Sequence, residues 1–313
     1  MPNRPAPAVT PRQVSHPSHS RGLADLAGLA PAMALFGVFI AVPMLGAVAL
    51  SLFRWNGLGT PQWAGGANWV QFAHDPLARQ ALVVTAKVVV ISWVVQTPIS
   101  IALGMFTAGK QRYRSVYAAL YVLPLLLSTA GIALMWEALL DPNFGGLTAL
   151  SKSLNLGFGQ QNWLGNPQIT LYVVIALIAW QFIPFHSLLY QMGRRQIPHV
   201  LYEAARLDGA CSAQLFWRVT LPQLRYTVVT SSTLIIVGSL TYFDIIYIMT
   251  NGGPGYTTRV LSLDMYQAAF SQNEFGYASV LAVVLGVIGV GVALGLVRFS
   301  GFGSIASQQE GAA

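Results

Sequence analysis

Few residues in this chain are of a type that does covalent chemistry, and they are scattered. The five histidines (His16, His19, His74, His186 and His199) have no carboxylate at ligand spacing. The single cysteine, Cys211, excludes an intrachain disulfide and any cysteine-based metal cluster. No GxxxxGK[ST] loop is present to cradle a nucleotide phosphate. His186 follows Pro184 inside an apolar run and either faces a cavity or makes a satisfied helix–helix contact. What remains suits binding rather than catalysis. Ser239, Tyr242, Phe243, Asp244 and Tyr247 share one apolar run, and Trp180 and Gln181 sit in another. Aromatic rings stack on the C–H face of a sugar while hydroxyls, amides and carboxylates bond its hydroxyl groups. The competing reading is that small polar groups in such runs glue helices together.

The elements that must position these residues follow from composition. The 313 residues are 54% hydrophobic and only 9% charged, with a mean hydropathy of +0.56. A soluble chain of this size carries about a quarter charged residues. Apolar runs of about 20 residues, enough to cross a hydrocarbon core of about 30 Å, recur along the chain. The expectation is an all-α membrane protein of six transmembrane helices, at about 26–52, 81–108, 115–139, 168–192, 226–250 and 275–297. Pro43 and Pro98 are expected to bend the first and second spans. Residues 1–25 and 301–313 read as polar tails, the first of them disordered. A signal peptide is the rival for the N-terminus, but the run from Leu26 is too long for one and lacks a clear cleavage site.

The net charge of +7 does not mark a nucleic-acid binder, because the basic residues lie in short loops between spans. Twelve of the 17 Lys and Arg residues fall on the side that holds both termini. The positive-inside bias therefore places both termini in the cytoplasm, with the loop between spans four and five. Trp55, Trp63 and Trp69 follow the first span on the opposite side, where indoles favour the interface.

That cytoplasmic loop, Pro198 to Arg225, is the most polar segment between two spans. Pro198 is suited to open a helix over 199–208, and Gly209 to end it in the left-handed conformation. Ser212 is expected to cap a second short helix over 213–219, closed by Pro222. Leu201, Ala204, Ala205 and Asp208 share one flat face at helical spacing, and Glu203 offers a carboxylate to a partner. The same helix also suits the inner leaflet, held by its arginines.

EAARLDGA, followed by Leu221–Pro222, resembles the EAA motif of ABC importer permease subunits, with Glu203, Ala204, Ala205 and Gly209 at its defining positions. TYFDIIYIMTNGGPGYTT (241–258), WQFIPF (180–185), Leu123–Pro124, Trp136, Asp141–Pro142 and SLFRW (51–55) are similar to the sugar-type branch of that family. One departure is Val84 before Thr85, where the branch usually has Asn.

The resemblance implies an ABC importer transmembrane domain over 26–300 and a coupling helix between spans four and five that seats in an ATPase subunit. Glu203, Ala204, Ala205, Asp208, Gly209, Leu221 and Pro222 would form the coupling element. In the maltose-type branch the equivalent of span five lines the translocation cavity, which favours Ser239 and Tyr242; Asp244 is carried across substrates and reads as structural. The implied partners are a second permease subunit, two ATPase subunits that bind ATP and magnesium, an extracytoplasmic solute-binding protein and membrane lipid. This chain would bind no cofactor, metal or nucleic acid and catalyse no bond chemistry. The implied setting is the inner or plasma membrane of a prokaryote and the implied solute a carbohydrate, an oligosaccharide first. Glycerol-phosphate or a polyol is the alternative within the branch. From another class comes an ion-coupled secondary transporter, which would want intramembrane carboxylates and repeated broken helices.

Overall fold

The computed structural model describes residues 21–109, 111–155 and 161–299. Of the tails predicted over 1–25 and 301–313, residues 1–20 and 301–313 lie outside the described residues, while Arg21–Asp25 is helical and so departs from the disorder expected there. The chain divides into two compact units, residues 1–46 and 47–313. In the first, α1 (Arg21–Phe36) starts ahead of the predicted Leu26 and runs through a π-helical turn (Gly37–Ala41) into α2 (Val42–Leu50). The wide turn is closed by the Val42 N–H donating to Gly37 O, just ahead of Pro43, which has no N–H of its own. Gly28–Leu50 is long and apolar enough to cross a membrane, and its side chains are exposed, Phe39 by 72%.

The second unit takes in the end of α2 and continues with a hairpin of two-residue strands, β1 (Phe53–Arg54) against β2 (Gln62–Trp63), then α3 (Ala67–His74). The Asp75 side chain accepts from Leu77 N at 2.8 Å, and Pro76 takes the first helical position, so α4 (Pro76–Thr107) begins earlier than the predicted residue 81. The long α4 packs against α8 (Thr170–Gln196). Gly104 sets their approach: a Cβ there would lie 2.6 Å from Tyr190 Cβ and 2.7 Å from Ser187 O. Small residues at such crossings replace the hydrophobic drive that lipid removes. Around this pair a buried cluster forms from Val84, Val88, Ile175, Ile178, Ile246 and Leu263.

Two predicted spans are not single straight helices. The third is α5 (Arg112–Leu126) and α6 (Thr129–Leu140), bent by 96° at extended Leu127 and Ser128. Pro124 supplies the cause, since its ring excludes it as a donor within the last turn of α5. The fifth is α12 (Arg225–Leu240) and α13 (Asp244–Thr250), bent by 43° over 241–243. An apolar run reports length, not straightness, and that is why both breaks escaped the hydropathy reading. Four helices are long and apolar enough to cross a membrane, or up to six if each bent pair is one span. The remaining helices are short: α7 (Gly146–Ser153), α9 (His199–Leu207), α10 (Ser212–Gln214), α11 (Leu221–Gln223) and α14 (Leu261–Tyr266). The chain of described residues ends in α15 (Phe275–Phe299).

The segment between α13 and α15 carries the ion pair seen among the described residues, Arg259 with Asp264, both buried. Burial pushes the Asp264 carboxyl up, and the Arg259 guanidinium, donating Nε to it at 2.7 Å, opposes that rise. Thr85 Oγ1 accepts from Leu261 N at 2.8 Å and so holds the start of α14. A polar contact therefore survives one residue after the Val84 departure.

Candidate functional site

The helix α9 is built from local signals. Pro198 is extended (φ −58°, ψ 133°) and accepts from Leu201 N at 3.2 Å. At the other end Gly209 takes φ +79°, its N–H reaching Arg206 O at 3.0 Å, and Ala210 N reaches Ala205 O at 2.9 Å. These two bonds make a Schellman stop, which glycine adopts without the Cβ penalty. Nothing lies within 4 Å of a Cβ at Gly209, so its backbone and not its surroundings demands glycine.

One face of α9 is fixed and the other is bare. Tyr202 is buried with Ile197, Leu215 and Leu224, and its hydroxyl pairs with Thr220 Oγ1 at 2.9 Å. The Arg194 guanidinium lies 4.0 Å from the centre of its ring. Ala205, one turn along, packs half-buried on the same cluster. The flat outward face predicted from Leu201, Ala204, Ala205 and Asp208 is therefore corrected: Ala205 turns inward with Tyr202. Val200, Leu201, Glu203, Ala204, Leu207 and Asp208 stay exposed, Leu207 by 89%. Trp217, beyond the turn, is 65% exposed. Tyr202 was missed in the sequence; its signal was an aromatic one turn from an alanine on an otherwise polar helix.

The segment after Gly209 also differs from expectation. Cys211, not Ser212, occupies the cap, and its N–H donates to Gln214 Oε1 at 2.8 Å. Helical backbone then widens into a π turn over Leu215–Thr220 and continues through Leu221 and Pro222 in α11. Pro222 thus does not close the unit. It sits in the first turn of α11, where a missing N–H costs nothing. Leu221 is half-buried and Pro222 exposed.

The second group of predicted residues gathers at the α12–α13 break. Ser239 is 1% exposed, and among the described residues its Oγ has no partner at hydrogen-bond geometry. It lies beside the Tyr242 phenol, with Gln96 of α4 as the other neighbour. Gln96 is fully buried, and among the described residues neither its Oε1 nor its Nε2 meets hydrogen-bond geometry, although the amide lies within interacting reach of the Tyr242 phenol; Ser92 Oγ one turn away is without a partner there too. Tyr242 stacks on Phe182 at 5.4 Å, and its carbonyl, freed by the break, accepts from Ser262 Oγ at 3.0 Å. Gln96 went unnoticed in the sequence, though a lone Gln inside an apolar run was visible.

Other predicted residues fall elsewhere. Phe243 and Tyr247 stack on each other at 5.2 Å and both meet Tyr266, at 4.9 and 5.3 Å. Asp244 is exposed in the first turn of α13, where its charge suits the helix dipole. Gln181 donates Nε2 to Thr129 Oγ1 at 3.0 Å, at the start of α6, and its Oε1 is unpaired. Trp180 meets Trp136 edge-on at 5.5 Å. His186 Nδ1 lies 3.1 Å from Ser231 Oγ, a satisfied helix–helix contact. Among the described residues no group of three or more His, Cys, Asp and Glu is placed to hold a metal ion.

Residues 96–299 match the family of binding-protein-dependent transport system inner membrane components. A probable ABC transporter permease protein of Pyrococcus horikoshii is 33% identical over 262 residues, spanning 82% of this chain and 88% of the relative. The arabinooligosaccharides transport system permease protein AraP of Bacillus subtilis is 28% identical over 288 residues, 90% of each chain. A solved bacterial ABC transporter involved in the import of the acidic polysaccharide alginate shares the fold, with a TM-score of 0.77 at 22% identity over 90% of this chain and 96% of that one. The chain therefore belongs to the binding-protein-dependent transport system inner membrane components, as an ABC transporter permease subunit of the sugar-type branch rather than an enzyme.

Proposed function

We propose that this subunit forms half of the translocation path of an ATP-driven importer and carries an oligosaccharide from an extracytoplasmic binding protein into the cytoplasm. Its partners are a second permease subunit, that binding protein and two ATPase subunits, which bind the ATP and magnesium. The observation that carries the reading is α9: one face is locked to the bundle through Tyr202, and the other is bare. Movement of an ATPase seated on Glu203, Ala204 and Leu207 would pass through Tyr202 and Arg194 into α8 and α12. Both termini and α9 lie in the cytoplasm of a prokaryotic cell in this reading, as the charge bias argues.

Support for a neutral sugar comes from the break in span five. Ser92, Gln96, Ser239 and Tyr242 are polar but uncharged, and several of their atoms have no partner. Such groups in a membrane interior suit a ligand rich in hydroxyls, with Phe182 and Tyr242 as ring surfaces. A phosphate-bearing solute would want a cation there. The similarity to AraP favours an oligosaccharide. The test is uptake and ATP hydrolysis by the complete importer carrying Glu203→Ala with Gly209→Pro. Solute-stimulated hydrolysis and uptake are expected to vanish while the subunit still inserts and assembles. Undiminished uptake would refute the docking role.

A further inference from the structure

A recess of 580 Å³ opens beside α9, between the end of α4, the start of α5 and the end of α8. Arg114, Arg194, Arg195, His199 and Gln111 line it, and among the described residues no carboxylate does. Among the described residues none of these three arginines takes part in an ion pair. Two of the guanidiniums are held in place by other means. Arg114 donates Nη1 to Phe106 O at 2.8 Å and lies 4.8 Å from the centre of the Phe106 ring. Gly109 allows this: a Cβ there would fall 2.3 Å from Arg114 Nη1. Arg194 is stacked on Tyr202. Arg195 is exposed, with no ion pair among the described residues.

Three cations that line one recess with no counter-ion among the described residues repel one another, and the fold holds two of them there with stacking and a carbonyl. Such an arrangement is stabilised by an anion, and fork-shaped guanidiniums match the oxygens of a phosphoryl group. We propose that this recess binds a phosphoryl anion, supplied in the membrane by the headgroup of an anionic phospholipid of the cytoplasmic leaflet. Met105 and Ile197 on the lining give the glycerol and first acyl carbons an apolar contact. The recess lies where two membrane-length helices end, the depth at which headgroup phosphates concentrate. Because Arg194 also clamps Tyr202, an occupied site braces the base of α9. The proposal rests on the cytoplasmic orientation argued above.

The test uses the complete importer, delipidated in detergent and incubated with phosphatidylglycerol or phosphatidylcholine, with retained lipid counted by native mass spectrometry. Phosphatidylglycerol should be retained preferentially, and Arg195→Gln should weaken it by about fivefold while leaving phosphatidylcholine unchanged. Arg114→Gln with Arg195→Gln should weaken it further. Displacement of the lipid by millimolar inorganic phosphate would make free phosphate the source, and no displacement would make it the lipid; either keeps the anion site. Equal retention of the two lipids, or retention unaffected by both variants, overturns the proposal. So does loss of the ATPase subunits from Arg195→Gln with lipid binding unchanged, which would assign the cations to an acidic protein surface. Cys211, the only cysteine in the chain and exposed, reports orientation separately through a membrane-impermeant maleimide on intact cells. Labelling from outside would sink the orientation and this proposal together, whereas uptake by the Glu203→Ala, Gly209→Pro variant with the lipid preference intact would sink only the docking role.

Discussion

The helix α9 and the kinked site at the α12–α13 break solve opposite problems. In α9 every backbone signal is local: extended Pro198 before it, Gly209 after it, a buried tyrosine at one turn and an alanine at the next. Its two ends are closed by backbone bonds, and its outward face is mixed, with Val200, Leu201 and Leu207 beside Glu203 and Asp208. At the α12–α13 break the groups come from distant parts of the chain, Gln96 from α4 and Phe182 from α8, and the unmet surface is polar and faces inward. A helix with a bare face of apolar and acidic side chains suits a partner protein. Buried amide and hydroxyl atoms without partners await a ligand, water or the other half of the pore.

The largest effect that would sharpen this contrast is at Tyr202. Tyr202→Ala removes the anchor and should cost roughly 3–5 kcal/mol, as large-to-small core changes do. The assembled importer should then hydrolyse ATP without moving solute. Tyr202→Phe loses only the bond to Thr220, about 1 kcal/mol, and should stay coupled. Thermal melts together with the ratio of solute moved to ATP consumed would check both; equal behaviour of the two variants would break the anchoring account.

Next comes Gln96→Leu. A satisfied buried amide costs about 1–3 kcal/mol to remove, whereas an unpaired one is replaced at little cost or with a gain. The prediction is unchanged or higher melting temperature with reduced uptake and altered solute preference. A loss of stability with normal uptake would show Gln96 to be helix glue, and the two regions would no longer differ in kind.

The smallest effect is expected at Asp141, outside both regions. Backbone N–H groups of Phe144 and Asn143 donate to it at 2.8 and 2.7 Å and hold its carboxyl below the usual carboxylate range. A folded-state value lowered in this way stabilises above the unfolded value and is lost as pH falls through the folded one. Asp141→Asn should flatten the acid limb of the melting curve slightly and leave uptake unchanged. An unaltered acid limb would remove this turn from the account.

How much of this was legible in the sequence follows from the same contrast. The membrane class, the α9 boundaries and its glycine stop were readable because proline, glycine and apolar run length act locally. The inward turn of Ala205 was not, because which face a helix buries depends on Leu215 and Leu224 packing against Tyr202. Pro124 and the 241–243 segment held the cause of the two bends, but hydropathy averages over them. Gln96 was visible as a residue and invisible as a neighbour of Tyr242, since contacts across 146 positions of chain leave no local pattern.

The most direct test is site-specific cross-linking from α9 in the intact importer. A photo-reactive residue at Leu207, the most exposed of the large apolar side chains on α9, should capture the ATPase subunit with and without nucleotide, and one at Tyr202 should capture only this chain. Capture of lipid alone at Leu207, with the ATPase bound elsewhere, would contradict the account.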